Sequence, residues 1–178
     1  MNLGVSTRSA TAADIGEIAD IYRQHVLTGT ATFEEDPPDR DEMHRRWSSL
    51  SDGGYPYLVA VLNCGVAGYA YAGPYRPRAA YRFTVEDSVY IHPRLIGKGI
   101  GRVLLTDLLE ACAAREYKEV IAVIGDSANT ASVRLHSALG FGTVGVLSNV
   151  GYKFNRWLDT VLMQRSLTAA PDSVHLPS

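Results

Sequence analysis

The chain between residues 88 and 102 has the residue types of an anion-binding site: a β-branched and aromatic stretch gives way to a glycine-rich loop and then to a leucine-rich helical pattern. Glycines let backbone N–H groups turn toward a ligand, and the positive end of the following helix dipole points the same way. The glycines and basic residues concerned are Gly97, Gly99, Gly101, Arg94, Lys98 and Arg102. This combination predicts a cradle for a diphosphate or polyphosphate.

Three kinds of nucleotide-binding loop compete for this segment. A P-loop needs Ser or Thr after Gly-Lys to hold magnesium, whereas Gly99 follows Lys98 here. A dinucleotide fold needs the spacing G-x-G-x-x-G, and these glycines are spaced G-x-G-x-G. The third pattern, Arg/Gln-x-x-Gly-x-Gly, is met by Arg94, Gly97 and Gly99. It resembles the acetyl-CoA pyrophosphate loop of the GNAT superfamily of N-acetyltransferases. The basic residues disfavour a turn without a ligand.

A second polar group follows the next predicted strand. Asn129, Ser132 and His136 are spaced by three and then four residues, so they share one face of a helix. Such a stripe is usually an exposed face. Its order, Asn-x-x-Ser-x-x-x-His-x-x-Leu-Gly-Phe, is nevertheless similar to the second GNAT segment. There the Asn contacts the pantetheine arm, and a Tyr in the place of His136 lies near the thioester sulfur and often acts as general acid. His136 is a candidate for acid or base catalysis, or for hydrogen bonding to CoA or substrate.

The strand before the loop contains two consecutive carboxylates. Alternation along residues 85–91 sends Glu86 to one face of the sheet and Asp87 to the other. Carboxylates are uncommon in strands, and we interpret Asp87 as lying at the strand entrance. Glu86 is a candidate general base, because an amine attacks a thioester only after its ammonium form has lost a proton. Burial would raise the pKa of this glutamate into a useful range.

The region around this strand resembles a particular branch of the superfamily. Residues 71–90 contain Tyr-Ala-Gly-Pro, a basic and aromatic loop, and Thr-Val-Glu. These features are similar to the central segment of phosphinothricin acetyltransferases and of relatives that acetylate methionine sulfoximine and sulfone. The pattern Gly-x-Lys-x-x-x-Trp-x-Asp, which begins at Gly151, extends the resemblance to most of residues 15–167. The resemblance implies four roles: Glu86 as catalytic base, Arg78 as ligand of the substrate carboxylate, Tyr81 as a substrate-positioning residue, and Phe33 as a wall of the substrate pocket.

The same resemblance implies acetyl-CoA as the cosubstrate. Backbone N–H groups of the loop and nearby basic side chains would hold its pyrophosphate, and the pantetheine would run along the edge of the strand. A backbone N–H of Tyr90 or Ile91 would polarise the thioester carbonyl while the amine attacks directly, without an acyl-enzyme. The expected donor-binding residues are Val89, Tyr90, Ile91, Arg94, Ile96, Gly97, Lys98, Gly99, Ile100, Gly101, Arg102, Asn129 and Ser132.

The expected acceptor is the α-amino group of a small amino-acid analogue such as phosphinothricin, methionine sulfoximine or methionine sulfone. An arginine suits the carboxylate of such a substrate because its guanidinium donates two parallel hydrogen bonds. Two alternatives stay open. One is a GNAT enzyme for another amine, such as a protein N-terminus, a polyamine or an aminoglycoside. The other is a non-catalytic acyl-CoA-binding sensor.

The elements that must position these residues alternate between helix and strand. Capping patterns predict helices after Thr11 and Asp39, with an irregular segment over residues 28–38 between them. Periodicity predicts strands at 57–62, 66–72, 85–91, 119–124, 141–147 and 157–167, and helices at 100–115 and 128–139. The expected fold class is α/β: a GNAT-type acyl-CoA N-acyltransferase fold with a mixed, mostly antiparallel central sheet flanked by helices.

Length and composition fit one enzyme domain, expected at residues 1–167, with a disordered tail at residues 168–178. A formal net charge of −2 gives no electrostatic case for nucleic acid or an anionic membrane. Cys64 and Cys112 lie far apart and the five histidines are scattered, so we expect no metal site and two reduced thiols in a cytoplasmic protein. The family resemblance implies a homodimer.

Overall fold

The computed structural model describes residues 4–168, so the predicted tail, apart from Thr168, lies outside the described residues. Residues 4–168 form seven strands and four α-helices. In chain order these are β1 (Ser6–Ser9), α1 (Ile15–Thr28), α2 (Arg40–Asp52), β2 (Tyr57–Leu62), β3 (Gly65–Pro74), β4 (Thr84–Ile91), α3 (Ile100–Ala114), β5 (Glu119–Gly125), α4 (Thr130–Ala138), β6 (Gly142–Lys153) and β7 (Arg156–Ser166).

The first two helices begin at the predicted caps. Thr11 and Asp14 form a reciprocal capping box ahead of α1. Arg8 makes two 2.7 Å hydrogen bonds to the Asp14 carboxylate and, as the largest cause, lowers the pKa of that carboxyl to about 2. At α2, the Asp39 side chain accepts a hydrogen bond from the backbone N–H of Glu42. Both caps satisfy backbone donors that have no partner within the helix.

The seven strands form one sheet in the order β1-β2-β3-β4-β5-β7-β6. All neighbouring pairs are antiparallel except β4 and β5, which are parallel. The predicted mixed, mostly antiparallel sheet is therefore confirmed. Two hydrophobic layers cover it. One contains α3 and the other contains α1 and part of α2.

The pairing between β4 and β5 stops halfway along the strands. Thr84–Asp87 pairs with Glu119–Ala122, and no pairing between the two strands is recorded beyond that point. From there β4 stays paired to β3 as far as Ile91, while β5 stays paired to β7 as far as Gly125. Each strand thus keeps one partner and turns its other edge into a V-shaped gap. This gap is the feature of the fold that positions the site.

Candidate active site

A cavity of about 610 Å³ occupies the gap between β4 and β5. Its volume lies in the range of small-molecule sites in proteins. Its walls come from β4, β5, the N-terminal turn of α3, one face of α4 and the segment that follows α1. Twelve of the predicted site residues line it: Val89, Tyr90, Ile91, Ile96, Gly97, Gly99, Ile100, Gly101, Arg102, Asn129, Ser132 and His136.

The backbone of β4 shows which N–H groups face this cavity. The N–H of His92 donates to the carbonyl of Ala67 in β3, so the Ile91 carbonyl, in the same peptide unit, points away from β3. That carbonyl accepts a 2.8 Å hydrogen bond from His25 Nε2 in α1. Because the N–H and C=O of one strand residue point to the same side, the N–H of Ile91 also faces the gap. The N–H of Tyr90 faces β3 instead, which corrects the prediction that either residue is suited to polarise a carbonyl here.

The glycine-rich loop approaches the cavity with free backbone donors. Gly99 caps the N-terminus of α3 with a φ of +81°, a left-handed conformation that glycine adopts without strain. Among residues 4–168, no acceptor is recorded for the N–H groups of Gly99 and Gly101. Both groups lie at the positive end of the helix dipole, where an anion is stabilised.

The basic residues around this loop have unequal positions. Arg102 is exposed and lines the cavity. Arg94 and Lys98 are exposed but are not part of its wall.

The polar face of α4 forms another wall. Asn129 is the N-cap of α4, and its side chain accepts a 3.3 Å hydrogen bond from the N–H of Ser132. Its amide group remains free to donate to a ligand. Ser132 and His136 follow along the same face, as the spacing predicted.

His136 forms a buried pair with Asp87, at 3.0 Å between Nε2 and Oδ2. Both side chains are less than 5% exposed. The interpretation of Asp87 as a residue at the strand entrance is therefore wrong. It lies inside β4 on the face toward α4, and its Oδ1 is buried with no hydrogen-bond partner among the described residues. Burial lowers the pKa of His136, but the hydrogen bond and charge of Asp87 outweigh that effect and raise it.

Glu86 points to the opposite face of β4, as alternation predicted, and is half-buried. Burial and the neighbouring charge of Asp87 raise the pKa of Glu86, while the charge of Arg76 opposes them. A carboxylate with a raised pKa is a stronger proton acceptor than an exposed one. Glu86 does not line the β4–β5 cavity itself.

The three predicted acceptor-binding residues lie outside that cavity. Arg78 and Tyr81 are exposed in and next to a short 3₁₀ turn before β4, and Tyr81 packs edge-on against Tyr75 at 5.6 Å. Within the described residues the Arg78 guanidinium has no recorded hydrogen bond or ion pair. Phe33 lies against Gly125 and Gly151, where a Cβ on either glycine would overlap its ring.

Several polar residues that the sequence did not single out hold residues 29–36, here called the covering segment, over the end of β5. Thr30 donates a 2.7 Å hydrogen bond to Asp126, which also accepts one from Arg156 at 2.8 Å. The buried Lys153 donates to the carbonyl of Thr32 at 2.9 Å. The resemblance named Lys153 only as part of a pattern, and these side chains come from distant parts of the chain.

Other features of residues 4–168 bear on the predicted chemistry. No group of three or more His, Cys, Asp and Glu side chains there is arranged to hold a metal ion. Over the same residues, none of the helices has the length and apolar character needed to cross a membrane. Cys64 is exposed at a hairpin turn, whereas Cys112 is buried, which raises its pKa to about 12.

Comparison with known proteins gives consistent matches. Residues 7–162 match the family described as the acetyltransferase (GNAT) domain. The chain is 56% identical over 156 residues to a phosphinothricin N-acetyltransferase of Alcaligenes faecalis, covering 88% of this chain and 79% of that protein. It is 41% identical over 171 residues to an L-methionine sulfoximine/L-methionine sulfone acetyltransferase of Salmonella typhimurium, covering 95% and 99%. A crystal structure of a Sinorhizobium meliloti phosphinothricin acetyltransferase in complex with AcCoA has a TM-score of 0.89 at 46% identity, covering 96% and 95%.

Proposed function

Because the chain belongs to the GNAT acetyltransferase family, we propose that it transfers the acetyl group of acetyl-CoA to the α-amino group of small amino-acid analogues. Phosphinothricin, methionine sulfoximine and methionine sulfone are the acceptors favoured by the similarity to enzymes named for them. The observation that carries the proposal is the gap between β4 and β5, with a free strand edge on each side and Glu86 on the adjoining face.

In this proposal the donor binds along the gap. The N–H groups of Gly99 and Gly101 and the side chain of Arg102 hold the pyrophosphate. The free edge of β4 pairs with the pantetheine amides as an added strand would, with Asn129 on the opposite wall. The N–H of Ile91, which faces the gap, donates to the thioester oxygen as negative charge develops there. The related structure in complex with AcCoA supports this donor.

The acceptor binds on the Glu86 face of β4. Glu86 takes a proton from the substrate ammonium group, directly or through one water, and the neutral amine attacks the acetyl carbon. The C–S bond then breaks, and CoA leaves as a thiolate that takes up the second proton of the acetylated nitrogen. The raised pKa of Glu86 favours this transfer. The unpaired guanidinium of Arg78 is available to the substrate carboxylate. Neither cysteine is needed, since Cys112 is buried and Cys64 lies on a hairpin turn.

The proposal includes a homodimer formed through β6 and the adjoining part of β7. β6 is the edge of the sheet, and unpaired edges invite association. An exposed apolar stripe runs along this hairpin and defines the β6–β7 stripe: Val144, Val146, Leu147, Val150, Tyr152, Phe154 and Trp157, each between 48% and 64% exposed. Contiguous apolar surface of this kind marks protein interfaces in stable folds.

Thiol release from acetyl-CoA tests the function directly. The panel comprises L-phosphinothricin, L-methionine sulfoximine, L-methionine sulfone, spermidine and a short peptide, and we expect turnover with the three amino-acid analogues. Glu86→Gln should lower kcat by about 10²–10⁴-fold and leave acetyl-CoA affinity unchanged, because it removes the base and little else. Glu110→Gln, on the exposed side of α3, is the matched control.

Other outcomes would redirect the proposal. Turnover only with spermidine or the peptide would keep the donor site and reject the acceptor class. Acetyl-CoA binding without thiol release from any amine would favour a sensor. Wild-type turnover in Glu86→Gln at neutral pH would remove Glu86 as the base.

A further inference from the structure

A second cavity, of about 420 Å³, lies between the α1–α2 layer and the sheet. Here it is called the tyrosine cavity, because four of its walls are tyrosines: Tyr22 of α1, Tyr57 of β2, and Tyr69 and Tyr71 of β3. Arg46 and Leu50 of α2 are also part of its wall. Its volume falls in the range of small-molecule sites, and the donor-binding residues proposed above do not line it.

The tyrosine cavity lies on the sheet face that carries Glu86, although Glu86 is not itself part of its wall. On the sheet face that carries Glu86, its cross-strand neighbour in β3 is Gly73, and the neighbour of Ser88 is Tyr71. Gly73 has no side chain, and a Cβ there would lie 3.3 Å from Leu50 Cδ2. Tyr71 and Leu50, both walls of the cavity, therefore flank the space in front of Glu86. A substrate with its amine at Glu86 has this cavity within reach of its side chain.

Two tyrosine hydroxyls of this cavity lack a protein partner. Tyr57 is 5% exposed and Tyr69 is 1% exposed, yet neither hydroxyl makes a hydrogen bond to another of the described residues. Both residues line the cavity, and neither hydroxyl oxygen is among the fully buried atoms without a partner, so each can donate to water or a ligand held there. Burial raises the pKa of both tyrosines, which keeps them protonated and able to donate.

The charges around the cavity cancel. Arg46 is held by Glu34 at 2.7 Å and by Glu42 at 2.8 Å. Glu42 also accepts from Arg45 at 2.8 Å, so two guanidinium groups face two carboxylates. A site with donors but no net charge favours an uncharged group with strong acceptor oxygens over an anion.

We propose that the tyrosine cavity is the subsite for the acceptor's side chain, and that the Tyr57 and Tyr69 hydroxyls donate to the oxygen of a neutral sulfone or sulfoximine group. This inference rests on the proposed function and narrows it. Methionine sulfone and methionine sulfoximine are then better substrates than phosphinothricin, whose phosphinate is anionic at neutral pH.

Removing single hydroxyls tests the subsite. Tyr57→Phe and Tyr69→Phe should each lower kcat/KM for L-methionine sulfone by roughly tenfold, because each leaves a sulfone oxygen without a buried donor. With L-methionine, which has no such oxygen, the same variants should change kcat/KM less than twofold. Tyr117→Phe, a partly exposed tyrosine that lines neither cavity, is the matched control, and thermal melting checks folding.

Binding provides a readout besides turnover. Calorimetric titration of L-methionine sulfone into CoA-saturated protein should show the same loss in Tyr57→Phe. Glu42→Gln should raise kcat/KM for phosphinothricin relative to that for L-methionine sulfone by about threefold, because it leaves the guanidinium groups in excess over the carboxylates. An unchanged ratio in Glu42→Gln would contradict the charge argument.

Failure of the subsite and failure of the function give different results. Wild-type protein that acetylates none of these amino acids would reject the proposed function itself. If wild type acetylates L-methionine sulfone and both Tyr→Phe variants keep the wild-type ratio of sulfone to methionine, only the subsite is rejected. Equal losses of kcat/KM with L-methionine sulfone and L-methionine in these variants would likewise overturn the subsite.

Discussion

At the scale of single residues, both ring nitrogens of His136 are engaged. Nδ1 lies 2.8 Å from the backbone carbonyl of Ser132, which only accepts, so Nδ1 carries a proton. Nε2 faces the carboxylate of Asp87 at 3.0 Å. Because Asp87 outweighs the cost of burial, the pKa of His136 is raised. A proton donated by His136 to the leaving CoA thiolate would come from one of these two hydrogen bonds.

Asp87→Asn should lower the pKa of His136 below its ordinary value, because burial would no longer be opposed by a carboxylate. Nitrogen-detected NMR of ¹⁵N-histidine-labelled protein measures this pKa without any substrate. Asp41→Asn, an exposed aspartate at the start of α2, is the control and should leave it unchanged. A His136 pKa that is the same in Asp87→Asn as in the wild type would contradict the assignment.

The same pair links stability to pH. The folded-state pKa of His136 is raised, so its contribution is fully present below the unfolded-state pKa of about 6.5 and is lost as pH rises through the folded-state pKa. In Asp87→Asn that contribution is absent. Below pH 6.5 the free energy of unfolding of this variant should be roughly 1–3 kcal/mol lower than that of the wild type, and the difference should shrink at higher pH.

Sequence patterns find residues on one element more readily than pairs between elements. His136 and Asn129 were found because helical spacing places them on one face. Asp87 was misassigned because its partner lies 49 residues away on another element, and strand alternation states only which face it occupies. The sequence likewise did not predict a binding role for Tyr57 or Tyr69, since a tyrosine in a strand is ordinarily a packing residue.

At the scale of elements, the covering segment depends on two glycines beneath Phe33. Its irregular composition predicted a loop, but the chain gives no local sign of what the loop packs against. The contact sites, Gly125 in β5 and Gly151 in β6, are small because a Cβ there would overlap the Phe33 ring or the backbone of Thr30. The covering segment is therefore packed tightly against the end of β5.

Gly151→Ala should destabilise the fold by about 1–3 kcal/mol, because an added methyl group forces Phe33 out of place. Adding Phe33→Leu to the Gly151→Ala variant should recover part of the lost stability. Urea denaturation measures both, and Gly145→Ala on the same strand is the control, since a Cβ there meets no atom within 4 Å. Equal effects of the two glycine substitutions would argue against the contact.

β6 shows where strand periodicity fails. The prediction ended it at residue 147, whereas the strand continues to Lys153 through a register shift between Leu147 and Gly151. Asn149 sits there with a φ of +56°, and its N–H donates to Asp159 of β7 at 3.0 Å. A bulge interrupts the two-residue alternation on which strand prediction rests, so its far side is not recognised. β1 was not predicted because its four residues are polar and show no apolar alternation.

At the scale of the whole molecule, the β6–β7 stripe should make the protein a dimer in solution. Val146→Glu, in the middle of the stripe, should produce monomers, because it places a charge in an apolar interface. Sedimentation velocity distinguishes the two states. Leu27→Glu alters an exposed apolar residue of α1 outside the stripe and should leave the dimer intact. A monomeric wild type at micromolar concentration would reject the interface.

The exposed position of Cys64 has a consequence for chemical labelling. Its hairpin places this thiol in solvent, while Cys112 is buried in the core and its pKa is raised to about 12. A maleimide dye should therefore attach at one site per chain in the native protein. The difference in exposure between the two cysteines also affects colorimetric detection of free CoA with a thiol-reactive dye. Cys64 reacts with the dye as well and gives an initial burst of colour equivalent to the protein concentration. A Cys64→Ser variant should remove both the dye attachment and the burst.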